Sequence, residues 1–334
     1  MNVLFVGMGY MGQERLKVLI KLKSKFKLNI VGYYDPKVKY VKYKNFKYTS
    51  IKKLSIKFLK EKKISICVLS TPHNLIKKYS LMCLNSKLPI NLFIEKPFGL
   101  NLKEAKKIYS SKNKNQKIFV GLNYRYFTGI NNLLTDIKAK KFGKINSIQI
   151  NFGHGHNPNI LKSWKLKKKI AGGGVILDPG IHVINLIQLF CKDHLKVEYV
   201  KKTKNFWKTG IEEEVVIVLS SKKIPIINIS LSVMKWRSTF EILGNGDKGY
   251  WILNGRGRSY GPQKYLTGKR WGWLSGKKQR STEKIVTTSE EKDIFLTEML
   301  CVLKKIKKIN IPLSPCSGHE ALNTMSLINK IYDF

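Results

Sequence analysis

Apolar and polar positions along the chain fall into two regimes. Over the first third, short apolar runs rich in β-branched residues alternate with amphipathic stretches. Asn2–Val6, Leu28–Tyr34, Ile64–Ser70, Leu92–Ile94 and Lys117–Leu122 read as strands, and Met11 to about Lys23 has a helical period. Strands separated by helices predict a parallel sheet, because each parallel pair needs a crossover long enough to hold a helix. Beyond about Gly121 the rhythm weakens, and longer strand-like runs take over at Ile145–Phe152, Glu214–Ser220 and Ile224–Val233. The expected architecture is α/β: a doubly wound parallel sheet over residues 1–121, then an α+β domain over 122–334 with a large mixed or antiparallel open sheet. No internal repeat is evident.

The first turn carries candidate chemistry. Gly7-Met8-Gly9-Tyr10-Met11-Gly12 follows the first strand directly and opens the first helix. In that setting the spacing G-x-G-x-x-G is the Rossmann dinucleotide fingerprint. Gly7 permits the turn, Gly9 lets a pyrophosphate reach the backbone, and Gly12 lets helix and strand pack closely. The phosphates then sit at the positive end of the helix dipole. The second strand ends in Asp35, 23 residues after Gly12. An acid there accepts from ribose hydroxyls and repels a 2′-phosphate, so NAD is expected rather than NADP. Two more segments fall at carboxyl ends of strands, where ligands gather in such sheets. They are Ser70-Thr71-Pro72-His73-Asn74 and Glu95-Lys96-Pro97. The competing explanations are an ordinary Ser/Pro/Asn turn for the first and a surface charge pair for the second.

In the second region the informative segment runs from Ala171 through Gly172-Gly173-Gly174 to Asp178-Pro179-Gly180-Ile181-His182, followed by an apolar helical stretch to about Phe190. If Asp178 lies on that helix, His182 is one turn along on the same face. A carboxylate beside an imidazole would fix its orientation and tune it for proton transfer. Equally, Asp178 and Pro179 suit the N-cap and first helical position, with His182 a satisfied core histidine.

Taken in order, these motifs resemble the Gfo/Idh/MocA oxidoreductases, the family of glucose-fructose oxidoreductase and inositol dehydrogenase. The glycine fingerprint with Asp35, Thr71-Pro72, Glu95-Lys96-Pro97, Gly121-Leu122-Asn123-Tyr124-Arg125-Tyr126 and the triple glycine with Asp178 and His182 span essentially the whole chain. The resemblance implies that Lys96 lies between nicotinamide and substrate and polarises the reacting oxygen. It makes His182 the general acid/base and Asp178 its partner or a ligand of a substrate hydroxyl. Glu95 and Pro97 would shape the loop beside the nicotinamide ribose. Gly7, Gly9, Tyr10, Met11, Gly12, Asp35, Ser70 to Asn74 and Glu95 to Pro97 form the expected cofactor set. Lys96, Asn123, Arg125, Trp164, Asp178 and His182 form the expected substrate set. The implied reaction is NAD-dependent hydride transfer to or from a secondary alcohol of a sugar or sugar derivative, in carbohydrate metabolism. Nucleotide-sugar and cell-surface polysaccharide routes are among the candidates. The alternatives are an inositol or polyol dehydrogenase, or a non-catalytic dinucleotide-binding sensor on the same fold. The resemblance also implies a homodimer or homotetramer, because in this family the exposed face of the open sheet commonly mediates assembly.

Composition narrows the partners. No apolar run approaches the ~18 residues of a membrane span, and Met1 to Val6 lacks the basic start of a signal peptide. Five scattered cysteines without a C-x-x-C pair suit reduced thiols in the cytoplasm. A formal charge of +42 invites a nucleic-acid partner. Only seven of the 63 basic residues are arginine, however, and the lysines spread evenly, so no such partner is expected. Four of those arginines cluster with aromatics between residues 244 and 280, in Asn254 to Tyr260 and around Lys269-Arg270-Trp271-Gly272-Trp273. That chemistry suits an anionic, ring-bearing ligand; the competing readings are a mobile surface loop or an arm that clasps a neighbouring subunit. His154-Gly155-His156 has no acid or cysteine nearby in sequence, and no metal is expected.

Overall fold

The computed structural model describes residues 1–43, 46–156, 158–269, 283–289 and 293–334. The chain forms two compact units. The first comprises Met1–Asn123, Lys169–Gly172 and Phe295–Ser326; the second comprises Tyr124–Lys168, Gly173–Ile294 and Leu327–Phe334. Of the second expected motif in the Arg/Trp-rich stretch, Lys269 is the last described residue, and Arg270-Trp271-Gly272-Trp273 lies outside the described residues.

The first unit is built on β1 (Asn2–Val6), β2 (Asn29–Tyr34), β3 (Tyr40–Tyr43), β4 (Phe46–Thr49), β5 (Ile64–Leu69), β6 (Asn91–Ile94) and β7 (Ile118–Val120). Five of these form an all-parallel sheet in the order β2-β1-β5-β6-β7, and β3 and β4 pair as a separate hairpin. Val3 to Val6 and Ile66 to Leu69 are buried without alternation, as central strands covered on both faces must be. The order reverses between β1 and β5, which makes the crevice beyond their carboxyl ends the expected ligand position. The first helix runs Tyr10–Lys21, slightly earlier than its periodicity predicts, because Leu22 opens a separate short helix, Lys23–Phe26. Sequence order alone places a domain boundary near Gly121. Packing adds to this unit most of the helix Ile294–Ile306, whose Met299, Val302 and Leu303 join Leu16, Leu19 and Phe26 in one apolar core.

The second unit carries β8 (Ile145–Gly155), β9 (Lys196–Thr203), β10 (Glu214–Ser220), β11 (Ile226–Ser232), β12 (Met234–Gly246), β13 (Gly249–Asn254), β14 (Gln263–Lys269) and β15 (Lys284–Ser289). They form one eight-stranded sheet in the order β15-β14-β13-β12-β8-β11-β10-β9. Only β8 and β11 run parallel; every other neighbouring pair is antiparallel. Val215, Ile217 and Leu219 alternate with half-buried or exposed neighbours, the pattern of a sheet covered on one face. Helix Thr128–Lys138 is fixed to β14 by two side-chain bonds. The Gly129 N–H donates to Gln263 Oε1 at 2.5 Å, and the Tyr265 hydroxyl donates to Asp136 Oδ2 at 2.7 Å. Helix Ile181–Cys191 is buried on every side from Ile181 to Ile187, so it is a core helix rather than an amphipathic one. Among the described residues no helix is long and apolar enough to cross a membrane.

Candidate functional site

In the first unit the candidate residues line the carboxyl edge of the parallel sheet, because each continues its strand's ladder by one step. The Gly7 N–H donates to Tyr34 O (2.9 Å), Ser70 N–H to Val6 O (2.8 Å), Glu95 N–H to Leu69 O (2.8 Å) and Gly121 N–H to Ile94 O (2.9 Å). Gly7 has φ +88°, and a methyl group on Gly12 would collide with the Gly7 carbonyl, so both glycines are required by the turn itself. Above Gly9 the space is open. Gly9 caps the helix Tyr10–Lys21 without a side-chain bond, and the first turn holds no acid. A helix start of this kind accommodates an anion. Tyr10 is exposed and Met11 half-buried beside it.

Asp35 ties this turn together. Its Oδ2 accepts from the Met8 N–H at 2.7 Å, and its Oδ1 accepts from Lys37 and Val38 at 2.8 and 3.1 Å. A carboxylate offers about four acceptor positions, so roughly one remains for a ligand hydroxyl. Across the sheet, Ser70 Oγ and Thr71 Oγ1 are buried and have no hydrogen-bond partner among the described residues. Two orphaned hydroxyls beside an open glycine turn fit a polar ligand on this edge. Pro72 starts the helix His73–Asn85; His73 is buried with Nδ1 2.8 Å from Ala171 O, and Asn74 is exposed.

Glu95-Lys96-Pro97 follows β6, with a cis peptide before Pro97. Glu95 and Lys96 are not a surface charge pair. Glu95 is buried, and its Oε1 lies 2.5 Å from Nε of a fully buried Arg15, whose Nη2 lies 2.7 Å from Glu298 Oε2. The guanidinium is also sandwiched between the Phe93 and Phe295 rings, at 4.6 and 4.7 Å. Burial alone would lower its basicity, but Glu95 and Glu298 more than offset that and hold it firmly protonated. Gly121 packs against this pair, where a methyl group would stand 2.8 Å from Glu95 Oε2. Lys96 is half-buried at the same edge, Pro97 is buried, and Asn123 is buried at the end of the unit's first segment.

In the second unit Gly173 and Gly174 of the triple glycine pack against protein. A methyl group on Gly174 would strike the Glu212 backbone, and one on Gly173 would strike the Tyr332 hydroxyl. Glu212 Oε1 accepts from the N–H groups of Gly174 (2.7 Å) and Ile176 (3.3 Å) and from the Tyr332 hydroxyl (2.5 Å). Burial, then Glu212, pushes the Tyr332 phenol well above its ordinary value. Glu212 thus fixes the loop that delivers Asp178 and His182. Neither helical placement expected for Asp178, on the helix or as its N-cap, is found, because the helix begins at Ile181 with Gly180 as its N-cap. Pro179 disfavours helical backbone at the residue before it. Asp178 instead closes a turn, its N–H donating to Gly174 O at 2.9 Å, and its Oδ2 lies 2.9 Å from Lys165 Nζ. Trp164, beside Lys165, is half-buried. Arg125 is buried, and its Nη2 donates to Asn185 Oδ1 at 2.8 Å on the helix that carries His182.

His182 is buried and lies flat on Tyr124, with ring centroids 4.0 Å apart and planes 6° from parallel. Phe152 and Phe240 meet Tyr124 edge-on at 6.0 and 5.8 Å. Burial, only partly opposed by Arg256, keeps the Tyr124 phenol un-ionised. Tyr124 lies in the motif over residues 121–126, but sequence reasoning missed its role as the seat of His182, along with Phe152, Phe240, Arg15, Glu212, Glu298 and Lys165.

His154 and His156 meet edge to face at 5.1 Å. Among the described residues no group of three or more His, Cys, Asp or Glu could hold a metal ion. Burial, then His154 and Lys165, pushes His156 down to about 4 from 6.5. Above pH 6.5 this site is neutral in both folded and unfolded chains. As pH falls towards 4 the unfolded chain takes up the proton first, so stability present above 6.5 is lost across that window. Urea denaturation from about pH 7 to 4 should show a shallower loss for His156→Gln than for the parent. Identical slopes would contradict the assignment.

Two family profiles match stretches of this chain. Residues 1–124 match the profile described as "Oxidoreductase family, NAD-binding Rossmann fold", and residues 134–251 match the GFO/IDH/MocA C-terminal domain. A trans-1,2-dihydrobenzene-1,2-diol dehydrogenase of Danio rerio is 25% identical over 149 residues, 44% of this chain and 42% of that protein. A levoglucosan dehydrogenase of Pseudarthrobacter phenanthrenivorans is 26% identical over 143 residues, 42% of this chain and 36% of that protein. The matches therefore span less than half the length of these relatives. Among solved structures, the WlbA dehydrogenase of Bordetella pertussis in complex with NADH and UDP-GlcNAcA superposes with a TM-score of 0.76 at 14% identity, covering 100% of this chain and 95% of that one. At that identity the likeness is one of fold. With both profiles matched over most of its length, the chain belongs to the Gfo/Idh/MocA family of oxidoreductases.

Proposed function

We propose that the chain is an NAD-dependent oxidoreductase that interconverts a secondary alcohol and a ketone on a sugar or sugar derivative. The observation that carries this reading is the carboxyl edge of the parallel sheet. An uncapped helix start opens above Gly9, the Asp35 carboxylate stands at the end of β2, Ser70 and Thr71 offer orphaned hydroxyls, and Lys96 follows β6. These residues fit a dinucleotide, with pyrophosphate on the backbone at Gly9 and a ribose hydroxyl on Asp35. The negative charge of Asp35 supports NAD over NADP.

When bound, the nicotinamide supplies the hydride acceptor or donor. The protein's part is proton transfer and charge stabilisation. His182 takes the hydroxyl proton on an imidazole nitrogen, and the Lys96 ammonium stabilises the developing alkoxide charge. Tyr124 keeps the imidazole plane fixed, and Asp178 takes a substrate hydroxyl or supports His182. The first compact unit serves as the nucleotide domain and the second as the substrate and oligomerisation domain. The names of the relatives include a sugar derivative, a diol and a nucleotide sugar, which supports a polyhydroxylated substrate.

A second copy of this chain is the proposed partner. Tyr199, Val216 and Ile226 are exposed on one face of the large sheet, as the register of β9 to β11 requires. Free cysteines at all five positions support a reducing, cytoplasmic compartment. The test is NADH formation by the purified chain with NAD or NADP across free sugars, inositols and nucleotide sugars. Turnover of a sugar class with NAD preferred is the expected result; no turnover with any of them overturns the reading.

A further inference from the structure

Arg256 is not used by the reaction outlined above, yet the second unit holds it in an unusual way. It follows β13 between Gly255 and Gly257, both at positive φ, and the Gly255 N–H anchors this loop to Phe240 O at 2.9 Å. Its guanidinium lies 3.9 Å from the centroid of the Tyr260 ring, 5.1 Å from that of Tyr124 and 5.7 Å from that of Phe152. Tyr124 is the ring on which His182 stacks. Arg256 therefore stands one aromatic ring away from the proposed proton-transfer group.

Aromatic packing covers the face of a guanidinium and leaves its N–H edge to find acceptors in its own plane. At Arg256 that edge is unmet: Nε is buried and has no acceptor among the described residues. A buried donor of this kind costs free energy unless a ligand satisfies it. The charge balance points the same way. Among the described residues, Asp178 is the one carboxylate whose charge reaches Tyr124, His154 and His156, and Lys165 already holds it at 2.9 Å. Burial keeps both histidines below their ordinary basicity, so they add no charge near neutrality. One carboxylate thus stands among two basic side chains, Lys165 and Arg256.

We infer that Arg256 is the recognition residue for an oxyanion, a carboxylate or a phosphate, carried by the sugar substrate. Resting on the sugar-oxidoreductase reading, this narrows the substrate class to anionic sugars. Stacking fixes the plane of the guanidinium in advance, so little is lost when its N–H edge meets two coplanar oxygens.

The test is equilibrium binding to the full chain, by titration calorimetry with and without NAD, using matched probes. Glucose, glucuronate and glucose 6-phosphate form one set, and UDP-glucose and UDP-glucuronate form another. The expected result is a preference of about ten- to hundredfold for glucuronate or glucose 6-phosphate over neutral glucose, with UDP-glucuronate ahead of UDP-glucose where the bound group is a carboxylate, as charge-assisted bonds give. Glucuronate ahead of the phosphate identifies a carboxylate as the bound group, and the reverse order a phosphate. In Arg256→Gln the preference should collapse to about one, and in Arg256→Lys it should fall part of the way, because charge remains without the fork. Should the Gln variant melt early or misfold, the Lys variant carries the comparison. No anionic preference in the parent chain overturns the inference. So does a preference that survives both substitutions, which would leave Arg256 as a brace for Tyr124. NADH formation followed in parallel separates the two proposals. An anion preference without turnover removes the redox reading and keeps the oxyanion site, whereas turnover without the preference does the opposite.

Discussion

His182→Asn is expected to lower kcat by about 10²–10⁴-fold, the usual loss when a positioned acid/base is removed, while NADH binding persists. Asparagine retains a polar group of similar reach but cannot exchange a proton near neutral pH. Because His182 lies flat on Tyr124, a shape change could also disturb that seat, so the comparison needs a second variant that leaves it intact. Lys96→Ala serves, since Lys96 belongs to the other compact unit. It is expected to cost about 10²–10³-fold, the scale of losing one group that stabilises developing oxyanion charge. Stopped-flow turnover with NADH fluorescence titration separates the effects. Full turnover in either variant would falsify the assigned role. A weakened NADH affinity with unchanged kcat would instead make Lys96 a cofactor ligand only.

Arg15→Ala should cost about 3–5 kcal/mol of folding stability, because it strands two buried carboxylates. The guanidinium is fully buried, touches Glu95 and Glu298 at 2.5 and 2.7 Å, and fills the gap between Phe93 and Phe295. Its loss removes the charge partner and opens a cavity, and both act in the same direction. The cost arises from unpaired charge, so neutralising all three partners should recover much of it. Arg15→Met combined with Glu95→Gln and Glu298→Gln is expected to melt closer to the parent than Arg15→Ala does. Urea denaturation measures both, and a loss under about 1 kcal/mol for Arg15→Ala would place the pair among solvent-screened ones. The triad also bears on function: Glu95 precedes Lys96, so loosening it should raise the Kd for NADH as well.

Much of the fold was legible from local pattern. Strands separated by helices predicted the parallel sheet, and the longer strand-like runs beyond Gly121 predicted a large mixed or antiparallel one. Gly7 and Gly12 were legible because their requirement is local: a positive φ in one case, and a close approach five residues away in the other. Asp178 misled for a reason also written nearby. Helical spacing to His182 was attractive, but Pro179 keeps its predecessor off the helix, and that constraint outweighed the pattern.

The scarcity of arginine was read only as a statement about partners. Arg15, Arg125 and Arg256 are each held by a buried carboxylate, a buried amide or an aromatic stack. A flexible, strongly hydrated lysine does not substitute well in such places. No motif announced Arg15 or Glu212, since Arg15 and Glu95 stand 80 residues apart and Glu212 grips Gly174 from 38 residues away.

By itself, then, the sequence determined the glycine turn, the parallel sheet behind it, the acid at the end of β2 and the family. Each depends on backbone conformation or side-chain period within a few residues. Only the tertiary structure decided that Glu95 is clamped by Arg15, that Glu212 holds the triple glycine, that His182 rests on Tyr124 and that Arg256 shares that ring. These are pairings of buried groups distant in the chain, and strand order and register, not local pattern, decide which of them meet.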